Sequence, residues 1–368
     1  MRDDLARLIV EKCFAKYSKL PKKGKPKDTE WTVLASVVLV RDSDICLVSL
    51  ATGTKCLDGV RRRSSESGAL LHDSHAEILA RRGFLLWLLH QVELAQAGRS
   101  PYVLKTEAGL VLSPEYEVVM MSTCLPCGDA SIFVRELDEP QTKRPRLDQA
   151  RTGAKPVTGC DPLRPGLDYH ATCQLRTKPG RGERTLSLSC SDKILKWNLL
   201  GLQGSLLSFL LSRNIYLDSF IIADKTFSSD SMARAFFGRA EWCDVNQPSL
   251  VQVDTQFADG RSEARQSPCP DSLIWVASEE AEGRHEAVTD GHKQGWPVSK
   301  LDNCKSWSML CQRNIARKFL QLYQGDLYST YEELKKHSRY QSAKEALQVE
   351  ILKSWPVKTI SSFSLDKL

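Results

Sequence analysis

A chain of 368 residues, 42% apolar and 26% charged, can bury a sizeable core and is too mixed in composition for a disordered or fibrous protein. No apolar run reaches the roughly 18 to 20 residues that a membrane-spanning helix needs, and a formal charge of +6 permits an anionic partner without demanding one. Twelve cysteines are scattered along a long chain that opens Met1-Arg2-Asp3-Asp4 with no secretory pattern. The expectation is therefore reduced thiols in an intracellular compartment, nucleus or cytoplasm.

In chain order, Leu5, Leu8, Ile9, Cys13 and Tyr17 fall at helical spacing and predict an amphipathic first helix. Pro21-Lys22-Lys23-Gly24-Lys25-Pro26-Lys27 reads as a solvated loop in preference to an RNA-contacting arm. The β-rich runs Trp31 to Val40 and Ile45 to Leu50, on either side of Arg41-Asp42-Ser43-Asp44, predict a hairpin. From Ser74 to about Gln96, Ile78, Leu79, Leu85, Leu86, Leu88 and Leu89 predict a mostly buried helix. Glu117 to Met121 predicts a strand, and Cys127 is expected to open the following helix, where the macrodipole favours a thiolate.

Between about 136 and 184 the pattern dissolves into Pro, Gly and charge, which predicts an irregular insertion on the substrate side. A helix follows Cys190, carrying Lys196 and Trp197. Phe220 to Ala223 reads as a buried strand and Ser229 to Gly238 as a helical run. Loop-rich tracts are expected at about 254–272 and 279–300, then helices from Asn303 to Leu352. Alternating strands and helices point to one α/β layered domain over 1–368 with a helical C-terminal extension.

The chemistry concentrates on Leu71-His72-Asp73-Ser74-His75-Ala76-Glu77. A neutral imidazole at His75 is a good zinc ligand, and a carboxylate two residues on, at Glu77, can move the protons of a metal-activated water without binding the metal. Ser74 and Glu77 equally fit a helix-capping box. A second segment, Leu125-Pro126-Cys127-Gly128-Asp129-Ala130, shifts the balance, because it supplies the Pro-Cys half of the zinc nucleobase-deaminase signature. The second cysteine of that signature is replaced by Ala130. The last sulfur must come either from Cys124, which forms Cys-x-x-Cys with Cys127, or from Cys190.

Leu71 to Arg82, Pro126 to Ala130, Ser189-Cys190-Ser191-Asp192-Lys193 with Trp197-Asn198, and Gly201-Leu202-Gln203-Gly204-Ser205 resemble the deaminase domain of the adenosine-to-inosine RNA-editing enzymes. The resemblance runs from about Trp31 to about Lys358. Within that family Pro21 to Pro26, Glu30-Trp31-Thr32 and Lys178-Pro179-Gly180-Arg181-Gly182 look like the branch acting on tRNA. It implies a cytidine-deaminase-like three-layer α/β/α domain in which His75, Cys127 and Cys190 bind zinc, water takes the fourth place, Glu77 shuttles protons and Cys124 is a bystander. It also implies inositol hexakisphosphate held by Arg81, Arg82, Lys193 and Lys196, with Lys293, Lys335, Tyr340 and Lys344 from the C-terminal part.

Thr54 and Lys55 match positions near the target nucleotide, and Glu183 matches the base-flipping region. The implied reaction is hydrolytic deamination of adenosine in tRNA, at adenosine 37 beside the anticodon of alanine tRNA. Editing of double-stranded RNA is the second reading. A non-catalytic zinc-containing RNA-binding module is the third, disfavoured because structural zinc is normally closed by four ligands.

Overall fold

The computed structural model describes residues 1–58, 68–137, 146–180, 185–240, 242–280, 282–300, 303–326, 328–348, 353–356, 363–366 and 368. Its centre is the expected hairpin, Leu34–Arg41 (β1) and Asp44–Thr52 (β2), paired antiparallel across a turn in which Asp42 takes φ +56°. In β1 the apolar residues alternate between two cores. Ala35, Val37 and Leu39 pack on one face of the sheet, and Leu34, Val38 and Val40 on the other. A strand that is apolar on both sides must be covered on both sides.

Six further strands complete the sheet: Glu117–Ser122 (β3), Ser219–Ile222 (β4), Ser249–Gln252 (β5), Asp271–Val276 (β6), Arg284–Thr289 (β7) and His292–Lys293 (β8), in the order β5-β4-β3-β1-β2-β6-β7-β8. β3, β4 and β5 run parallel, and the remaining pairs are antiparallel. The helix Asp3–Lys19 (α1) covers one face through Leu5, Ile9, Val10 and Cys13, with Cys13 Sγ 3.1 Å from Ser36 Oγ of β1. On the other face lies Ala76–Gln96 (α2), with Leu79, Phe84, Leu88 and Val92 fully buried. Phe84→Ala should cost about 3–5 kcal/mol.

The same face carries Cys190–Leu200 (α3), Gly204–Leu210 (α4), Ser229–Phe236 (α5) and Gln312–Leu320 (α6). Tyr331–Lys336 (α7) and Arg339–Gln348 (α8) form the helical extension. Helices on both faces of one sheet make the three-layer α/β/α architecture.

The structure corrects three expectations. Cys127 does not open an α-helix: it precedes a single 3₁₀ turn, Asp129–Ser131. The 279–300 tract contains the sheet strand Arg284–Thr289, whose polar first residues are exposed at the edge and hide the strand from a search for apolar runs. The segment after Leu137 is not an open insertion throughout. Arg176 is fully buried, its side chain held within the stretch by Asp161 (2.6 and 2.9 Å) and the Ala154 carbonyl (2.9 Å), while its backbone N–H donates to Asp192 Oδ2 at 2.9 Å and so ties the stretch to the domain.

Candidate metal centre

Three chain segments deliver the candidate ligands to the end of the sheet where Leu34 pairs with Thr52 and Ala35 with Ser122. The short strand Asp73–His75 pairs with Thr54–Cys56, and His75 is the residue at which α2 begins. Gly53 lets the two strands close. Its φ is +149°, and a Cβ there would stand 2.0 Å from the Ser74 carbonyl oxygen. No side chain caps α2, and Ser74 belongs to the strand, so the capping-box reading of Ser74 and Glu77 fails. Cys127 lies in the turn after β3, pressed against the start of α3 at Gly128, whose φ is +104° and whose Cβ would meet Ser189 Oγ at 2.3 Å. Cys190 is the first residue of α3, and Ser189 caps that helix by accepting from the Asp192 N–H.

His75 Nδ1 is 3.8 Å from Cys127 Sγ and 3.6 Å from Cys190 Sγ, and all three ligand atoms lie within 4.8 Å of one another. Bonds of about 2.0–2.1 Å to nitrogen and about 2.3 Å to sulfur set tetrahedrally require nitrogen and sulfur to be about 3.5–3.6 Å apart. The trio therefore fits a zinc ion and leaves one coordination place. Among the described residues it is the one such group. Cys124 is exposed and outside it, so the structure groups Cys190, not Cys124, with His75 and Cys127.

The helix N-terminus that favours a thiolate is that of α3: the Cys190 backbone N–H donates to Cys127 Sγ at 3.3 Å. The interaction with Cys190, reinforced by His75 and Lys178, holds the Cys127 thiol well below the usual range against the opposing effect of burial. Glu77, in the first turn of α2, is buried, and burial pushes its carboxyl up while His75 opposes the rise.

Behind the ligands lies a charged chain that the sequence did not reveal. Lys178 is 1% exposed. Its Nζ donates to Cys190 Sγ at 3.2 Å and to Asp73 Oδ1 at 2.8 Å. Asp73 also accepts from Ser187 Oγ (2.8 Å), from the His75 N–H (3.1 Å) and from Lys193. Burial alone would raise the Asp73 carboxyl, yet Lys178 and Lys193 hold it well below the ordinary carboxylate range. Lys178 sits in a Pro/Gly-rich stretch that reads as solvent-exposed, and its partner Asp73 lies 105 residues away.

Lys193 leads from this chain into a cavity of about 520 Å³ lined by Arg81, Arg82, Lys193, Lys196, Lys335 and Lys344, with Tyr340. Asp73 and Glu332 are the carboxylate-bearing residues of the lining. Arg81 donates to the Leu202 carbonyl at 2.9 Å and lies 5.3 Å from the Trp197 ring. Arg82 donates to the Leu310 carbonyl at 2.7 Å. Loss of solvent lowers Arg81 to about 10 and also lowers Arg82, Lys335 and Lys344. Six cations half-withdrawn from water around one cavity form a donor set for a polyanion.

Trp355, whose ring lies 4.7 Å from Lys196 Nζ, also lines this cavity and was not foreseen. Lys293 does not belong with the others. It is an exposed residue of β8 and lines a second cavity, with His285 and Trp307. Thr54 lies opposite His75 in the strand pair and its buried Oγ1 has no hydrogen-bond partner, while Lys55 lies opposite Ser74. Glu183 falls outside the described residues.

Residues 49–359 match the adenosine-deaminase (editase) domain, and the chain belongs to that family. It is 36% identical to the tRNA-specific adenosine deaminase 1 of Drosophila melanogaster, over 85% of this chain and 81% of that protein. It is 30% identical to the tRNA-specific adenosine deaminase 1 of Mus musculus, over 92% of this chain and 94% of that one. Similarity to the double-stranded RNA-specific editase Adar of Drosophila melanogaster is 33% over 72% of this chain and 40% of the editase. No described helix is long and apolar enough to cross a membrane.

Proposed function

We propose that this chain is a zinc-dependent enzyme that converts adenosine to inosine in tRNA by hydrolysis, at adenosine 37 of alanine tRNA. The observation that carries the chemistry is the grouping of His75, Cys127 and Cys190 as three candidate ligands among the described residues, with Glu77 buried within electrostatic reach of His75 and Cys127. His75, Cys127 and Cys190 would hold a zinc ion, which when bound would acidify water and so supply a nucleophile near neutral pH. Glu77 takes one proton from the water as the water oxygen adds to C6 of adenine, and passes it to ring nitrogen N1. Glu77 then takes the proton of the new C6 hydroxyl and passes it to the amine as the bond from C6 to that nitrogen breaks. Water is consumed, ammonia leaves and inosine remains. A carboxyl raised by burial suits this exchange, because it both accepts and releases protons closer to neutrality.

Lys178 holds Cys190 Sγ in place through its hydrogen bond and is itself fixed by Asp73. An adenine inside a stem or stacked loop cannot reach this buried set, so the base must leave the stack. Thr54 is the proposed contact to that nucleotide, a reading supported by its pairing opposite His75 and its buried, unbonded Oγ1. The cationic cavity takes inositol hexakisphosphate, bound by Arg81, Arg82, Lys193, Lys196, Lys335, Tyr340 and Lys344. A ligand that binds only the folded state stabilises it, so the polyanion acts as a structural cofactor.

The similarity of the tRNA-specific relatives over most of their length favours tRNA over double-stranded RNA as substrate. Incubation of the zinc-loaded protein with tRNA transcripts and with a long RNA duplex, each then sequenced for inosine, tests this. Inosine in tRNA alone supports the reading, whereas inosine in the duplex alone overturns the choice of substrate.

A further inference from the structure

The segment Pro21 to Lys27 holds four lysines in seven residues and takes no part in the chemistry described above. Its ordinary reading is a solvated loop, but the structure shows it fixed in place. The Lys25 N–H bonds the Lys22 carbonyl at 3.0 Å. Gly24, φ +86°, packs so closely on β7 that a Cβ there would stand 2.7 Å from Ala287 Cβ. Arg265 donates to the carbonyls of Lys27 and Glu30, each at 2.7 Å. Lys25 turns inward, donating to the Ser18 carbonyl at 3.1 Å with its ammonium 4.6 Å from the Tyr17 ring. Lys22, Lys23 and Lys27 remain exposed.

The position of this loop gives the charge a use. A Cβ on Gly24 would stand 3.6 Å from the Ser272 carbonyl oxygen, Ser272 Oγ bonds the Ser74 carbonyl at 3.3 Å, and Ser74 precedes His75. The loop therefore borders the end of the sheet that carries the metal ligands. Next along the same border stands Trp31, half-buried, with its Nε1 bonded to the Gln266 carbonyl at 3.2 Å and the exposed Arg261 guanidinium 6.0 Å from its ring.

The acids here do not cancel the lysines. Asp259 is paired with Arg265 and accepts from Tyr17, while Glu30 accepts only a neutral backbone N–H from Lys27 and keeps its charge, so Asp28, Glu30 and Glu263 stand against Lys22, Lys23, Lys25, Lys27 and Arg261, which leaves a small cationic excess. Covering the sheet edge needs the backbone and Gly24. Lys23 adds a bond from its Nζ to the Gln294 carbonyl at 3.4 Å, but the covering does not need the exposed charges of Lys22 and Lys27, and like charges side by side suit a facing polyanion.

We infer that Lys22, Lys23 and Lys27, with Arg261 and Trp31, form a docking rim for the phosphate backbone of the substrate RNA next to the edited nucleotide. Lysines neutralise phosphates without reading sequence, and an aromatic ring beside an arginine suits an unstacked base. The family match begins at residue 49, so the loop lies outside the region matched to the editase domain, as suits a substrate-specific element. The inference rests on the reading of the chain as a tRNA deaminase.

The test is binding of a fluorescein-labelled tRNA transcript, followed by anisotropy at rising salt, to the full zinc-loaded chain and to the triple variants Lys22→Ala/Lys23→Ala/Lys27→Ala and Lys22→Arg/Lys23→Arg/Lys27→Arg. Each lost phosphate contact removes about 0.7–0.9 from the slope of log K against log salt, so the alanine variant should be shallower by about 2 to 3. It should also bind about tenfold more weakly while its kcat at saturating tRNA stays within about twofold. The arginine variant should keep the wild-type slope. An alanine variant with an unchanged slope, in a preparation whose wild type makes inosine in tRNA, overturns the rim alone. A wild type that makes no inosine in tRNA overturns the function proposed above and, with it, the rim as a dock for substrate RNA.

Discussion

Lys178→Met removes a buried cation that touches both a metal ligand and Asp73, with little change in side-chain length. Breaking a buried ion pair by deleting one partner costs about 3–5 kcal/mol when the other charge is stranded. Asp73 is not stranded here, because Lys193, Ser187 Oγ and the His75 N–H still reach it. The expected loss is therefore smaller, about 2–3 kcal/mol. With about 2.1 cal/mol/K of unfolding entropy per residue over the 368-residue chain, 2.5 kcal/mol corresponds to a fall in Tm of about 3 °C.

Metal affinity is the sharper readout. Deleting a group that orients a ligand costs about 10–100-fold, and Cys190 Sγ loses a charged donor 3.2 Å away. Competition with a chromogenic chelator measures this directly. Zinc affinity within about twofold of wild type, together with an unchanged Tm, would refute the assignment of Lys178 as the residue that holds Cys190.

Other expectations follow from the same geometry. Cys190→Ala should abolish zinc content and turnover, whereas Cys124→Ala should leave both largely intact; metal analysis of the two variants decides. Glu77→Gln should keep its zinc and lose about 10²–10⁴-fold in kcat. Because burial raises the Glu77 carboxyl, its ionised form penalises the native state at neutral pH and is relieved as pH falls, so the metal-free Glu77→Gln protein should melt higher than metal-free wild type at pH 7. The opposite sign holds at Asp73. Its depressed carboxyl adds stability above the unfolded value near pH 3.9 and loses it as pH falls through the folded value, so Asp73→Asn should flatten the acid limb of a melting curve taken against pH. Finally, unfolding the purified protein should release inositol hexakisphosphate, detectable by phosphate analysis, and Arg81→Ala/Arg82→Ala should reduce the yield of folded protein.

Where a signal was local, the sequence revealed it. The helix expected from Ser74 to about Gln96 begins at Ala76, because its apolar period is dense and its buried face broad. The hairpin around Asp42 was legible for the same reason. His75 and Cys127 stand in local motifs, whereas the residues alone left Cys124 and Cys190 open and the family resemblance pointed to Cys190, which the structure groups with the other two. What escaped depends on partners far away in the chain. Lys178 looks solvated until Asp73 is brought to it, and the stabilising N–H for Cys127 comes from the helix that starts at Cys190. Arg284–Thr289 pairs with Asp271–Val276 although its sequence carries little apolar alternation, since the short β8 pairs only with Val288 and Thr289 and leaves Arg284 and His285 exposed. Lys293 was assigned through a loop-rich region, and the register of His292–Lys293 at the sheet edge places it in the other cavity.

The most direct test of the account is conversion of adenosine to inosine in tRNA by the zinc-loaded protein, measured by sequencing a panel of tRNA transcripts before and after incubation alongside Glu77→Gln. The account predicts inosine at a single anticodon-loop adenosine with wild type, ammonia released in equal amount, and neither product with the variant. Equal turnover by wild type and Glu77→Gln, or zinc-loaded wild type that leaves every tRNA unchanged, would contradict it.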